Sequence, residues 1–287
     1  MPASLPKYVT HLDMHDQGIT MMNDDACISK EGLLEIILDS NQINGISEDA
    51  FHSCKELKHL KLSRNQIYQL EGGLFRTLSK LESIDLSDNQ IEKIPDAAFA
   101  GMVEVERVDL RDNGIVAIGE RAFEGLNSLR FLYLERNRLT TIDVNWIRQV
   151  GSFSTHLDII FLNQNDINCD CKMAALGNQL RSTVNQDKGA TTIRQIIKAD
   201  SITCAWPREL SGQTLEEVDY TRLSCDASDA LISATTTKTS HGSNFMLVLL
   251  GSMLSVVGYF GFLKFQRYRV QGMRVFFSRN NSNESKK

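Results

Sequence analysis

The stretch LKHLKLSRNQIYQLEGGLFRTLSK, Leu57 to Lys80, runs directly into LESIDLSDNQIEKIPDAAFAGMVE, Leu81 to Glu104, and the two read as one pattern written twice. Outward from this pair the pattern recurs in seven segments, beginning at Val9, Leu33, Leu57, Leu81, Val105, Leu129 and Leu157, the first six starting 24 residues apart. Self-similarity at a fixed period marks an array of stacked units. Apolar residues stand three and five places after each start, as in Leu60 and Leu62, Ile84 and Leu86, or Leu132 and Leu134. A spacing of two puts both side chains on one face of a short extended segment, so each unit contributes one strand, and amphipathic helices at 3.6 spacing are excluded. At place eight the column reads Gln17, Asn41, Asn65, Asn89, Asn113, Asn137 and Asn165. A buried Asn carries two donors and a carbonyl acceptor, so stacked Asn side chains can satisfy the backbone groups that a tightly turned coil leaves unpaired. Ile46, Ile94, Ile118 and Ile142 follow at place thirteen, then Phe51, Phe75, Phe99 and Phe123 on the opposite, convex side. Each coil can bury its apolar sides only against its neighbours.

On these columns the chain resembles an extracellular leucine-rich repeat protein of the 24-residue subclass. The resemblance implies an α/β fold class: a solenoid with parallel β on its concave face and an irregular convex side. Of six cysteines, Cys169, Cys171, Cys204 and Cys225 follow the last repeat in the setting NCDC and ITCAWPRELSGQTLEEVDYTRLSC. This resembles the cysteine-rich C-terminal cap of such proteins, which implies pairing of Cys169 with Cys204 and of Cys171 with Cys225. A four-cysteine zinc site is the competing reading, but paired C-x-x-C knuckles are missing. Bridges require an oxidising compartment. The family's usual Asn-Pro-Trp before the cap is replaced by Asn165, Asp166, Ile167. Cys27 occupies the convex Phe place of its repeat, and Cys54 a place filled elsewhere by Leu78, Met102 and Leu126. They read as two core thiols acting as small hydrophobes, a bridge between adjacent coils being the alternative.

Residues 1–8 lack the apolar run of a signal peptide. LPKYVTHLDM is similar to the passage from an N-terminal cap into a first repeat, so residues 1–8 are expected to be the remnant of a cap whose other part, with a signal peptide, is missing, or else the start of a truncated natural product. The remaining borders expected are repeats over 9–168, the cap over 169–225, a flexible Ser/Thr/Ala-rich stalk over 226–243, a transmembrane helix over 244–264 and a short basic tail over 265–287. Phe245 to Leu263 is free of charge and as a helix spans about 28 Å, close to the hydrocarbon thickness of a bilayer. Lys264, Arg267, Arg269 and Arg274 follow it, which predicts a cytoplasmic C-terminus and a single-pass type I protein of the plasma membrane. Gly251, Ser255 and Gly258 share one helix face and suit close packing, either in a homodimer or against another membrane helix. Residues from Lys264 onward carry seven Lys or Arg against one acid, so the net charge of -5 conceals a remainder at -11. An acidic body argues against a nucleic-acid partner.

Places two, four and six of each strand point to the concave face. The first coils supply the mainly acidic strip His11, Asp13, His15, Glu35, Ile37 and Asp39, and the last supply Phe131, Tyr133, Glu135, Ile159, Phe161 and Asn163, with Arg107 and Arg111 alongside. Large apolar side chains on a water-facing surface mark either an interaction site, built on Arg107, Arg111, Phe131, Tyr133, Ile159 and Phe161, or a surface that the C-terminal cap covers. His11, Asp13 and His15 share the face but read as solvated residues. With no catalytic arrangement, phosphate loop or metal motif, the chain reads as a non-enzyme without cofactors. The expected function is a cell-surface protein whose ectodomain binds an extracellular or membrane protein in adhesion, recognition or a co-receptor role. The alternative is an auxiliary subunit acting on a channel or receptor through its membrane helix.

Overall fold

The structure is a computed structural model that describes residues 9–23, 27, 32–143, 145–147, 150, 157–174, 176–177, 180, 196–220, 223 and 274–276. Seven short strands, β1 (His11–Asp13), β3 (Glu35–Ile37), β5 (His59–Lys61), β6 (Ser83–Asp85), β8 (Arg107–Asp109), β10 (Phe131–Tyr133) and β11 (Ile159–Phe161), come one from each coil. They pair in parallel and in register, so that Arg107, Phe131 and Ile159 stand side by side, as do Asp109, Tyr133 and Phe161. The central residue of every strand points inward; Leu12, Ile36, Leu60, Ile84, Val108, Leu132 and Ile160 are all buried. Two minor parallel pairs join β2 (Met21–Met22) to β4 (Gly45–Ile46) and β7 (Lys93–Ile94) to β9 (Ala117–Ile118). The solenoid of parallel strands agrees with the expected class.

The Asn column acts as a ladder. Asn89 Oδ1 accepts the N–H of Ile67 in the preceding coil at 3.0 Å, while its amide donates to Leu62 O of that coil and Leu86 O of its own, each at 3.0 Å. Asn65, Asn113, Asn137 and Asn165 repeat the arrangement. The carbonyls of Leu38, Leu62, Leu86, Leu110 and Leu134 therefore each receive two Asn amides, one from their own coil and one from the next. Immediately before this column the backbone is left-handed in all seven coils, at Asp16, Ser40, Arg64, Asp88, Asp112, Arg136 and Gln164. None is glycine, although a non-glycine residue there costs roughly 1 kcal/mol; the doubly bonded ladder holds the turn in place.

On the convex side Phe51, Phe75, Phe99 and Phe123 form a continuous spine with centroid spacings of 5.6–6.0 Å. Trp146, from the longer sixth interval, extends it at 5.8 Å. The other end corrects the thiol reading: Cys27 and Cys54 are bridged, their Cα atoms 5.2 Å apart. The two apolar places lie opposite one another in neighbouring coils, within the reach of a disulfide. Cys169 and Cys204 are bridged as well, with Cα atoms 5.6 Å apart. Cys171 is also disulfide-bonded. Cys225, its expected partner, lies outside the described residues.

Residues 1–8, the stalk, the expected span and Gly251, Ser255 and Gly258 also lie outside them. Among the described residues no helix is long and apolar enough to cross a membrane. Of the tail, β12 (Arg274–Phe276) is described, and it pairs antiparallel with β1 along the outer edge of the first coil. That pairing needs both strands on one side of any bilayer, so it and a cytoplasmic tail exclude one another.

Candidate partner-binding face

Parallel register at a strand spacing of about 4.8 Å brings like positions of neighbouring coils into contact. Tyr133 and Phe161 are such a pair, and their rings stack 4.8 Å apart at an interplanar angle of 5°. Phe131 lies 6.4 Å from Tyr133. The sheet cannot turn these side chains inward because Leu132 and Ile160 between them already fill the core. Phe131, Tyr133, Ile159 and Phe161 are half-buried, their exposed parts on the concave surface.

Cations surround the rings. The Arg107 guanidinium lies 5.7 Å from the Phe131 centroid and 5.4 Å from that of Tyr133, and Arg111 lies 5.0 Å from Tyr133. Arg130 approaches Phe131 at 5.3 Å, and Lys198 of the cap approaches Phe161 at 5.1 Å. All six face residues expected from the sequence are thus brought together. The cap does reach this surface, through Lys198, but leaves the rings partly open. Lys198 and Arg130 stand outside the alternating columns, so the strand pattern carries no signal for either.

The supporting electrostatics are local. Asp109, almost wholly buried, holds Arg111 through Nε–Oδ1 at 2.9 Å and Nη2–Oδ2 at 2.6 Å, and this bond raises the already high pKa of the guanidinium. The pair fixes Arg111 against Tyr133. Glu135 is buried beside it, and its Oε2 has no hydrogen-bond partner among the described residues. Burial raises its carboxyl above the ordinary value, against a lowering influence from its own backbone N–H and from Arg111. Across the coils Asp112 is held below the ordinary range by its bond to Arg136.

Toward the first coil the polar groups are occupied by one another. His15 Nδ1 meets Asp13 at 2.8 Å, Lys61 meets Glu35 at 2.9 Å, and His59 Nδ1 meets Ser83 Oγ at 2.9 Å. Asp39 accepts from Ser63 N at 2.8 Å and Ser63 Oγ at 3.1 Å, yet burial still leaves its carboxyl raised. Among the described residues no group of three His, Cys, Asp or Glu side chains is placed to hold a metal.

The leucine rich repeat family model matches residues 7–67, 55–115 and 103–167, together more than half of the chain. Among solved structures, human 5T4 (Wnt-activated inhibitory factor 1, trophoblast glycoprotein) is similar, with a TM-score of 0.54 and 21% identity over 78% of this chain and 90% of that one. At that identity the likeness is one of fold. No curated protein sequence matches this chain.

Proposed function

Because the chain belongs to the leucine rich repeat family, we propose that it is a binding protein, displayed at a cell surface, whose concave face recognises another protein through the last two coils. The observation that carries this reading is the half-buried stack of Tyr133 and Phe161, bracketed by Arg107, Arg111 and Lys198 on a face turned to water. Aromatic and arginine side chains anchor interfaces because they release large apolar area at small entropic cost. The Cys27–Cys54 and Cys169–Cys204 bridges support an oxidising, extracellular setting for the repeats. In this reading Cys171 pairs with Cys225, residues 226–243 form the stalk, and residues 244–264 anchor the chain with its N-terminus outside. In the anchored form Arg274–Phe276 leave β1 for the cytoplasmic side. A three-residue pairing offers only a few hydrogen bonds of about 1 kcal/mol each, whereas each fully buried Leu, Val or Phe of the span contributes about 1.5–3 kcal/mol.

The auxiliary-subunit reading rests on Gly251, Ser255 and Gly258, spaced to let membrane helices approach closely. Proximity labelling on intact cells separates the two. Tyr133→Asp with Phe161→Asp abolishes the specific neighbours if the concave face recognises them. Their survival there, with loss on Gly251→Leu and Gly258→Leu, reverses the assignment in favour of the membrane helix.

A further inference from the structure

The basic groups of the concave face divide sharply by what they touch. His11, His15, Lys61 and Arg111 each face a carboxylate, Glu35, Asp13, Glu35 and Asp109 respectively. His59 lies 3.9 Å from Glu82. Arg107 is the exception among the strand residues: it is exposed, lies over Phe131 and Tyr133, and has no carboxylate partner among the described residues. Lys198, exposed over Phe161, also has none among them. Two cations without a carboxylate partner among the described residues therefore bracket one ring stack.

The rings add to the same potential. The faces of Tyr133 and Phe161 are taken by each other and by the flanking cations, so a visitor meets ring edges. The edge of an aromatic ring is the positive part of its quadrupole. Edges and cations together attract carboxylates and tolerate an apolar side chain between them. Their spacing is bounded by the stack: 5.4 Å from Arg107 to Tyr133, 4.8 Å to Phe161 and 5.1 Å to Lys198, at most roughly 15 Å end to end. An extended chain rises about 3.3 Å per residue and alternates its side chains, so residues i and i+4 lie on one face about 13 Å apart with i+2 between them.

We propose that this end of the face takes an acidic segment of a protein partner with the pattern acid-x-apolar-x-acid, one carboxylate against Arg107, the other against Lys198, and the apolar residue on the ring edges. This rests on the reading that the concave face recognises a protein. Protein is favoured over a sulfated glycan because Arg107 and Lys198 are separated by an apolar stack. A polyanion is better served by a continuous basic track, whereas Asp85, Asp109 and Glu135 interrupt the cations on this part of the face.

The test is a selection of extended peptides from a displayed random library on the full chain in detergent micelles. Arg107→Glu with Lys198→Glu is selected in parallel, and unchanged melting confirms that both exposed substitutions leave the fold intact. The wild type enriches two acids four residues apart around an apolar residue; the double variant binds those peptides about a hundred-fold more weakly, about ten-fold per reversed charge, and enriches basic residues instead. Peptides that depend on Tyr133 and Phe161 but lack the acid pair overturn this inference and leave the partner-binding reading intact. Absence of any peptide dependent on those rings overturns both. Saturable heparin binding through Arg107 and Lys198, with no acidic peptide selected, assigns the site to a glycan and also overturns the proposal.

Discussion

Replacement of Asn89 by Ala isolates the ladder that holds the coils together, and its cost follows from the bonds it breaks. Ile67 N–H has Asn89 Oδ1 as its acceptor at 3.0 Å, so in the variant a buried donor is left unpaired, at about 1–3 kcal/mol. The carbonyls fare better: the amide's third contact, to Ser87 O at 3.1 Å, shares its two hydrogens with the others, and that oxygen keeps Arg64 N–H at 3.0 Å. Leu62 O retains the amide of Asn65 at 3.0 Å and Leu86 O retains that of Asn113 at 3.0 Å, so each loses one of two bonds, about 0.5–1 kcal/mol apiece. The sum is a loss of about 2–5 kcal/mol. At an m value of about 2 kcal/mol/M, the urea midpoint falls by about 1–2.5 M, followed by circular dichroism on the disulfide-intact protein. Gln90→Ala, at the exposed neighbouring position, changes the midpoint little. Asn89→Asp keeps the acceptor for Ile67 but turns a carboxylate toward two carbonyls, so it costs more at pH 7 than at pH 4. A loss below about 1 kcal/mol, no larger than that of Gln90→Ala, refutes the ladder reasoning.

Three further predictions address the core, the buried charge and the topology. Serine at both Cys27 and Cys54 opens a loop whose ends are 27 residues apart and lowers stability by about 2–4 kcal/mol, seen as a fall in urea midpoint without loss of the far-ultraviolet spectrum; no change places the bridge outside the folded core. Glu135 has its folded carboxyl raised by burial, so its contribution is fully present below the unfolded value and lost as pH rises through the folded one. Glu135→Gln therefore raises the melting temperature at pH 7 but not at pH 3, and an equal effect at both rejects the burial argument. An epitope added after Lys287 is reached by antibody only in permeabilised cells; labelling of intact cells keeps β12 paired with β1 and removes the proposed membrane crossing.

The strand and Asn columns were legible because their physics is local and periodic. Leu60 and Leu62 must face inward for any parallel stack to form, and the polar chemistry of Asn89 leaves few other roles for a buried residue. The ring stack was legible as far as alternation reaches: Tyr133 and Phe161 fall on the water-facing side by counting, and register then makes them neighbours. What counting missed depends on distances between coils. Cys27 and Cys54 each fit an apolar place, and only the offset of adjacent coils shows that their Cα atoms come within 5.2 Å. The left-handed turn at Arg64, Arg136 and Gln164 carries no glycine to announce it, because the Asn bonds that follow enforce the turn. Lys198 reaches Phe161 from the cap, where no repeat sets the position. The pairing of β12 with β1 was equally hidden, since an open strand edge accepts any extended segment through its backbone.

Recognition of a partner by the last coils is tested most directly by hydrogen exchange on the complex with a neighbour captured at the cell surface. The account predicts new protection concentrated in β8, β10 and β11 and around Lys198, with β1, β3 and β5 unchanged. Protection confined to the convex spine or to the first three coils, with β10 and β11 exchanging as in the free protein, contradicts it.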